Sequence, residues 1–187
     1  MTTESFAPIH TPLTEEDLWA DMEYERLRPA VRRAVARDQA ILRVRLGDDA
    51  MLVFEPRWSL WLQVQEALRH VESGDRRART IDAHNARRAR SGEVAATLFG
   101  VAIKAPTAVQ LILFGQEYAA STSSASVSHL RFRRSRAVND QPHALIWGEH
   151  AVALTEAQAR AVGVSFGLAH APDQTPRWGP LAVEAAE

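Results

Sequence analysis

The sequence predicts an α+β fold, in which N-terminal helices and a hairpin–helix unit pack on a mostly antiparallel β-sheet within a single domain. Helical periodicity dominates the first half of the chain, whereas alternating apolar and polar residues dominate the second half. The connections between predicted strands are short, and parallel pairing would need long crossovers, so antiparallel pairing is favoured. A chain of 187 residues is long enough for one domain to bury its own core.

Two helices are predicted near the N-terminus. The first runs from Thr14 to about Tyr24, with the Thr14 hydroxyl as its cap and acidic residues in its first turn. Pro29 predicts a break, because proline removes a backbone donor and disfavours the helical conformation of the residue before it. A second helix is therefore expected from Pro29 to about Ala40.

A hairpin and a third helix follow. Apolar residues alternate with polar ones over 42–46, and a second strand is expected at 51–55 after the turn residues 47–49. The third helix spans about 58–71. One face of it carries an apolar stripe that should face the core: Leu60, Trp61, Val64, Ala67, Leu68 and Val71. We expect the tryptophans of this helix to be core residues, with a partner-facing aromatic patch as the alternative.

The other face of the third helix is polar but is interrupted by an apolar residue. Gln65, Glu66 and Arg69 share it with Leu62, which predicts that this face is partly covered. The polar, arginine-rich segment 73–93 predicts a solvated loop with a short helix. The remaining predicted elements are strands at 94–103, 109–114 and 127–133, a loop at 121–126, a hairpin at 143–147 and 150–154, and a helix at 155–162.

The expected domain spans residues 13–171, between a flexible N-terminus at 1–12 and a loose, proline-containing tail at 172–187. No apolar run is long enough to span a membrane, and no signal peptide is visible, so a cytoplasmic protein without a membrane partner is expected. The 21 arginines and one lysine are balanced by 23 acidic residues, which argues against a nucleic-acid partner. The chain contains no cysteine, which excludes disulfides and thiolate chemistry.

The polar residues that we expect to bind a ligand or a partner are Arg28, Glu55, Gln65, Glu66, Arg69 and Arg131. Guanidinium groups match carboxylates and phosphates, and paired acids can share proton transfer. The structural alternative is that Glu66 and Arg69 pair with each other, and that Glu55 caps or pairs near Arg57. No phosphate loop, nucleophile elbow or dinucleotide fingerprint occurs, so no catalytic residue and no bound cofactor is predicted.

The seven histidines raise the question of a metal site. His143 and His150 flank a predicted hairpin and could approach each other, with His129 or His170 as additional ligands. Neither the i,i+4 helical spacing nor a histidine–carboxylate cluster of known metal sites is present. The sequence therefore predicts no metal, and the histidines are expected on the surface or in the core.

An ordered series of short segments carries a family resemblance. These segments are Leu13-Thr14, Asp17-Leu18, Tyr24-Glu25-Arg26, Arg28-Pro29, Arg43-Val44, Leu46-Gly47-Asp48, Phe54-Glu55, Gln63-Val64-Gln65-Glu66, Leu68-Arg69, His84-Asn85, Ala96-Thr97-Leu98-Phe99 and Leu130-Arg131-Phe132. In this series the chain resembles a bacterial family known as domain of unknown function 3501. The resemblance implies an uncharacterised soluble protein, with genes for rubrerythrin-like and iron–sulfur oxidoreductases often nearby.

One departure from the family pattern concerns a histidine. The family usually has a histidine where this chain has Ser128, and here the nearest one is His129. A shift of one residue on a strand turns a side chain to the opposite face. The segment after Phe99 is also shorter than is usual in the family, and apparently lacks a helix.

Two functional classes follow from these observations. The first is a non-catalytic accessory or small-ligand-binding protein that serves a redox or metalloprotein system. Its partner could be an oxidoreductase, another protein, a second copy in a homodimer or a small anionic ligand. The second is a small-molecule enzyme that acts on an anionic metabolite through an Arg/Glu/His pocket. Convergence of Glu55, Glu66, Arg69 and Arg131 in one closed pocket would favour the enzyme.

Overall fold

A computed structural model of the chain describes residues 10–71, 74–100, 108–121 and 127–168. Several predicted features lie outside the described residues: most of the N-terminal segment 1–12, the end of the strand predicted at 94–103, the segment after Phe99, most of the loop at 121–126, His170 and the tail at 172–187. Within the described ranges the chain forms four α-helices, one 3-10 helix and one eight-stranded antiparallel sheet. The predicted α+β class is confirmed.

The element order places most helices before most strands. The helices are the 3-10 turn Glu15–Asp17, α1 (Asp21–Ile41), α2 (Arg57–Leu68), α3 (Gly74–Asn85) and α4 (Glu156–Ser165). The strands are β1 (Arg43–Leu46), β2 (Ala50–Phe54), β3 (Glu93–Gly100), β4 (Ala108–Leu113), β5 (Gln116–Ser121), β6 (Val127–Ala137), β7 (Ala144–Trp147) and β8 (His150–Ala153). None of the described helices is long and apolar enough to cross a membrane.

The sheet is strongly curved. Its strand order is β1-β2-β3-β6-β5-β4-β7-β8, and every neighbouring pair is antiparallel. The two end strands, β1 and β8, approach each other. The Gln158 side chain of α4 donates to the Arg43 carbonyl of β1 across 3.2 Å, so α4 is fastened to one end of the sheet.

The main core fills the concave face of the sheet. Period-two alternation turns one side chain in two toward this face, and the deepest are fully buried. They include Leu52, Phe54, Leu98, Leu111, Leu113, Phe132 and Leu145. Helix α4 covers one end of this core with Ala159, Val162 and Phe166. Thr155 caps α4 by accepting a hydrogen bond from the Gln158 amide at 3.1 Å, as its sequence predicts.

The first three helices form a separate layer with its own apolar contacts. Trp61 of α2 packs edge-on against Trp19 and Tyr24, with ring centroids 5.1 Å and 6.1 Å away. The Trp61 indole also donates to the Asp17 carbonyl across 2.9 Å. Leu60, Val64 and Leu68, from the predicted stripe of α2, are buried in this layer. The stripe is therefore confirmed at its central positions.

The predicted break at Pro29 is wrong, because α1 continues through it. Tyr24 on one side of the proline and Val31 and Val35 on the other are buried in the same cluster. Burial of one continuous face stabilises the helix by more than the hydrogen bond that proline removes. Arg28, directly before the proline, is held by a bidentate contact to α2, which further fixes this turn.

The helix predicted at 14–24 is also wrong in its first part. A single 3-10 turn, Glu15–Asp17, stands there and α1 starts only afterwards. The Asp17 carboxylate accepts hydrogen bonds from the Thr14 amide at 2.7 Å and from the Arg57 guanidinium at 2.9 Å. These contacts hold the turn against α2 and direct the chain away from a longer helix.

Two further elements differ from the prediction. Segment 73–93, predicted as a solvated loop with a short helix, does contain a helix, but the twelve residues of α3 occupy more than half of it and bury Ile81 against α2. Strand β5 was not predicted, since its alanines have low strand propensity. It forms because β4 and β6 pair with it on both sides. The predicted hairpins, α2, α4 and the strands near 94, 109 and 127 are confirmed within the described residues.

Gly100 is expected to be intolerant of any side chain. A Cβ there would lie 2.5 Å from the Asp49 carbonyl oxygen, and its φ of +152° is a conformation that L-residues rarely adopt. Gly100→Ala should lower the free energy of unfolding by about 2 kcal/mol or more in chemical denaturation. Gly74→Ala is the control, because a Cβ there meets open space, and it should stay within about 0.5 kcal/mol of the wild type. An equal loss of unfolding free energy in both variants would contradict the close contact between Gly100 and the Asp49 carbonyl.

Candidate functional site

Three of the predicted site residues meet between α1 and α2. Glu66 accepts hydrogen bonds from the Tyr24 hydroxyl at 2.6 Å and from Arg28, whose Nε and Nη2 reach its two oxygens at 2.7 and 2.8 Å. Arg69 lies 3.7 Å from Glu66 and makes its closer contact, through Nε, with Glu25 of α1. We call these five residues the Glu66 network. Glu66 and Arg69 were expected to pair with each other, but the main partner of Glu66 is Arg28.

The charged side chains of the Glu66 network are paired with one another. The hydrogen bond from Arg28 is the largest cause that lowers the pKa of Glu66 to about 2, and the bond from Tyr24 acts in the same direction. Burial, followed by the hydrogen bond to the ionised Glu66, raises the pKa of Tyr24. The hydrogen bond to Glu66 also raises the pKa of Arg28. None of these three groups exchanges a proton near neutral pH, so the network suits bracing or recognition and does not suit acid–base catalysis.

Gln65 is placed by the structure in a buried position. Only 2% of it is exposed, and its amide nitrogen donates to the Trp19 carbonyl across a long 3.5 Å. This contact ties α2 to the segment before α1. The prediction that the polar face of α2 is covered is confirmed here, and the covering element is α1. Gln65 is not among the residues that line the cleft described below.

Glu55 takes part in a second polar cluster, on the convex side of β3 and β6. Gln63 of α2 donates to Glu55 at 2.8 Å and accepts from Arg87 at 2.8 Å. Arg87 Nη1 lies 2.9 Å from His129 Nε2, and His129 Nδ1 lies 2.9 Å from the Thr97 hydroxyl and 3.9 Å from Glu55. We call these five residues the His129 ring. The expected pairing of Glu55 near Arg57 does not occur in it.

The protonation state of His129 follows from its contact with Arg87, which can only donate hydrogen bonds. A guanidinium has no acceptor, so His129 Nε2 must accept from Arg87, and the imidazole is neutral with its proton on Nδ1. Burial is the largest cause that lowers the pKa of His129, and the charge of Arg87 is the second. Thr97 and Glu55 approach the same nitrogen, Nδ1. A nucleophile–base–carboxylate relay needs them on opposite nitrogens, so the ring is not a catalytic triad.

The register of β6 explains why the histidine of this chain faces the ring. His129 pairs with Thr97 and points to the convex side, whereas Ser128 pairs with Leu98 and is buried, with 6% exposed. The neighbouring positions 128 and 129 therefore serve opposite faces of the sheet. Arg131, opposite Ala95 on β3, follows on the same face as His129 and is half-buried.

The six predicted residues thus do not converge on one pocket. Arg28, Glu66 and Arg69 are in the Glu66 network, Glu55 is in the His129 ring, and the others lie apart. Sequence reasoning missed Tyr24, Gln63, Arg87 and Thr97. Three of these residues lie within the segments that carry the family resemblance: Tyr24, Gln63 and Thr97. Those segments could therefore have identified them as candidate site residues. No pattern marked Arg87, whose role depends on where α3 ends.

The histidine pair considered for a metal is separated by the structure. His143 lies opposite Leu154 and His150 opposite Trp147, so the two stand at opposite ends of the β7–β8 hairpin. Four strand positions correspond to about 13 Å, which is too far for one ion. Across the described ranges, no group of three or more His, Asp or Glu residues has the geometry to hold a metal.

An open cleft of about 760 Å³ adjoins the Glu66 network at the end of α2. Arg69 forms one side of it, and Arg77 of α3 forms another. Arg77 is held by Glu15 at 2.8 Å and by Asp21 at 3.4 Å. Of the four carboxylates that pair with these arginines, Glu25, Glu15 and Asp21 are between 49% and 70% exposed, and Glu66 is 29% exposed. The lining residues are Asp21, Leu68, Arg69, His70, Val71 and Arg77.

Glu66→Gln should destabilise the protein by about 2 kcal/mol at neutral pH, because it removes the charge that holds Arg28 and Tyr24. The pKa of Glu66 is lower in the folded than in the unfolded chain, so its contribution is complete above pH 4.5 and is lost as the pH falls toward about 2. Urea denaturation over this range measures the difference. Glu25→Gln, at a more exposed ion pair, should cost less than about 1 kcal/mol. If the difference in unfolding free energy between the wild type and Glu66→Gln were the same at every pH, the lowered pKa of Glu66 would be contradicted.

The His129 ring should make stability depend on pH in the same direction as Glu66 does, but at a higher pH. Because the pKa of His129 is lower in the folded chain than 6.5, its neutral form is favoured by folding, and the associated stability is lost as the pH falls through 6.5. His129→Gln keeps an acceptor for Arg87 but does not titrate. The unfolding free energy of the wild type should therefore fall relative to this variant between about pH 8 and about pH 5. If the unfolding free energies of the wild type and of His129→Gln changed with pH in the same way, the His129 ring would not be a source of the pH dependence.

Comparison with known proteins gives one family and one fold. The chain matches the family model described as "Protein of unknown function (DUF3501)" over residues 12–114. No protein of curated function shows significant similarity to it. A crystal structure of a novel protein of unknown function from Burkholderia pseudomallei K96243 shares its fold, with a TM-score of 0.65 and 16% identity, over 81% of this chain and 97% of that one. The chain belongs to the DUF3501 family, as its ordered motifs indicated.

Proposed function

We propose that this chain is a non-catalytic accessory protein that binds a small anionic ligand and serves a redox or metalloprotein system. The observation that carries the proposal is the separation of the predicted polar residues into two internally paired clusters. A catalytic site needs groups that meet the same reacting atoms and that exchange protons near the working pH. The Glu66 network meets neither condition. The redox setting comes from the oxidoreductase genes that the family resemblance implies.

The cleft beside Arg69 is the proposed place for the ligand. Two guanidinium groups and His70 border it, and guanidinium forks match carboxylates and phosphates. The closest carboxylate partners of the two arginines, Glu25 and Glu15, are exposed, so an anionic ligand can replace these two at low cost. Glu66 holds Arg28 in place behind this cleft and keeps Arg69 within 3.7 Å. Buried Gln65 supports the same helix without touching the ligand.

A small-molecule enzyme remains the second candidate, because the His129 ring does bring an Arg, a Glu and a His together. Catalysis there would require Arg87 to leave His129 Nε2 when substrate binds. The ring would then offer an imidazole to a substrate held by the guanidinium. His129→Gln separates the two candidates, since it should abolish an enzymatic reaction and leave anion binding at the cleft unchanged.

Native mass spectrometry of the full chain isolated from its own host tests the proposal directly. A mass excess that corresponds to a small anion is expected. Retention of that excess in His129→Gln and its loss in Arg69→Gln would support binding at the cleft. The opposite pattern would contradict it and would favour the enzyme.

Inorganic phosphate and succinate should raise the melting temperature of the wild type, and Arg69→Gln should remove most of this effect. A ligand that binds only the folded chain stabilises it by about 2.7 kcal/mol at 100 times its dissociation constant. The matched control is Arg37→Gln, an exposed arginine that also pairs with one acid but lies away from the cleft. Equal loss in both variants would show that net charge, and not the cleft, sets the response.

A further inference from the structure

The last part of strand β6 presents an unusual run of exposed cations. Arg133, Arg134 and Arg136 are all exposed, and so is Ser135 between them. We call the three arginines the arginine strip. Regular alternation would turn every second one of these residues to the other face of the sheet. The register between β5 and β6 shifts between Arg134, which lies opposite Tyr118, and Arg136, which lies opposite Glu117, so Ser135 is the extra residue of a bulge. The bulge turns Arg136 to the face of Arg133, whereas Arg134 stays on the opposite face.

Each arginine of the strip is anchored from a neighbouring strand through the same atom. The Nε group donates to Glu93 of β3 at 3.2 Å in Arg133, to Gln116 of β5 at 2.7 Å in Arg134, and to Glu117 of β5 at 3.0 Å in Arg136. These three contacts fix each guanidinium by its inner edge. The Arg133 and Arg136 side chains nevertheless remain 67% and 70% exposed.

The two carboxylates below the strip are largely shielded from solvent. Their side chains are 12% exposed in Glu93 and 8% exposed in Glu117. A hydrogen bond from Ser135 is the largest cause that lowers the pKa of Glu117, and the bond from Arg136 adds to it. Because the anchors are largely shielded and the arginines are exposed, the charge that a partner meets at this surface is positive. Fixed orientation also reduces the entropy that these long side chains lose on binding.

The size and spacing of the strip favour a protein partner over a nucleic acid. Affinity for a polyphosphate grows with the number of phosphates neutralised, and three arginines over about 10 Å neutralise few. The outward positions of β6 from 129 to 136 carry no aromatic side chain on which bases could stack. Fork-shaped guanidinium groups instead match the discrete carboxylates of Asp and Glu side chains.

We propose that Arg133 and Arg136, the two arginines of the strip that share the convex face, form a docking surface for an acidic patch on a partner protein. The inference rests on the proposed accessory role, but it uses a surface separate from the cleft at Arg69. Half-buried Arg131 precedes the strip on β6 and adds a third positive charge to this face, against the two largely shielded carboxylates. Complementary charges of this kind steer association and choose the partner, so docking should weaken steeply with salt.

Binding of the full chain to a fluorescent polyglutamate peptide at low ionic strength tests this surface by anisotropy. Arg133→Gln with Arg136→Gln should weaken binding about tenfold. The matched control is Arg37→Gln with Arg160→Gln, which removes the same charge from arginines that are 75% and 74% exposed and equally paired with acids. The control should change binding less than about twofold. Equal weakening by both pairs would overturn the proposal.

A second variant controls for misfolding, because removing the arginines leaves the largely buried Glu93 and Glu117 without a charged partner. Adding Glu93→Gln and Glu117→Gln to the double variant restores the net charge of the wild type and removes both buried charges. Peptide binding should still be lost, and retention of wild-type affinity would refute the strip. Tighter binding of an oligothymidylate of equal charge would also refute it, in favour of nucleic acid. Phosphate binding at the cleft should persist in every strip variant, so the two proposals fail separately.

Discussion

The carboxylate of Glu66 joins α1 to α2, since it accepts hydrogen bonds from Tyr24 and Arg28 and lies beside Arg69. These contacts cross the same interface that Trp61 and Tyr24 pack from the apolar side. The polar and the aromatic contacts therefore fix one relative position of the two helices. The cleft at the end of α2, and the placement of Arg69 at its side, both depend on that position.

The convex face of the sheet carries two polar sites of different character. Under α2 and just beyond α3, the residues of the His129 ring are joined to one another by four side-chain hydrogen bonds. Farther along β6, the arginine strip points its cations to solvent over largely shielded anchors. The first site contributes to the contact between helices and sheet. The second leaves its guanidinium groups accessible to solvent.

Much of the fold followed from local patterns, and the exceptions have identifiable physical causes. Period-two alternation located β6 and the β7–β8 hairpin, and the apolar stripe located α2. The break at Pro29 failed because packing of Tyr24 and Val31 against α2 outweighs one missing hydrogen bond. Strand β5 was not predicted, because most of its residues have low strand propensity. It forms through pairing with β4 and β6 on its two sides.

The sequence identified several residues of the candidate site but did not predict how they are arranged in space. Charge and side-chain type singled out Arg28, Glu66 and Arg69, which do meet, because they lie on facing sides of α1 and α2. Glu55 joined a different cluster, since its neighbours come from α2, the end of α3 and β6. Contacts between residues so distant in sequence depend on the order of the strands in the sheet, which no local period encodes.

The measurement that tests the non-catalytic account most directly is an NMR titration of the Glu66 carboxyl carbon in the folded protein. A midpoint near pH 2 is expected, because Arg28 and Tyr24 hold this group in its ionised form. A carboxylate of that kind braces the helices and exchanges no proton under physiological conditions. A midpoint above 4.5 would mean that the group is free to act as an acid or base, and would contradict the account.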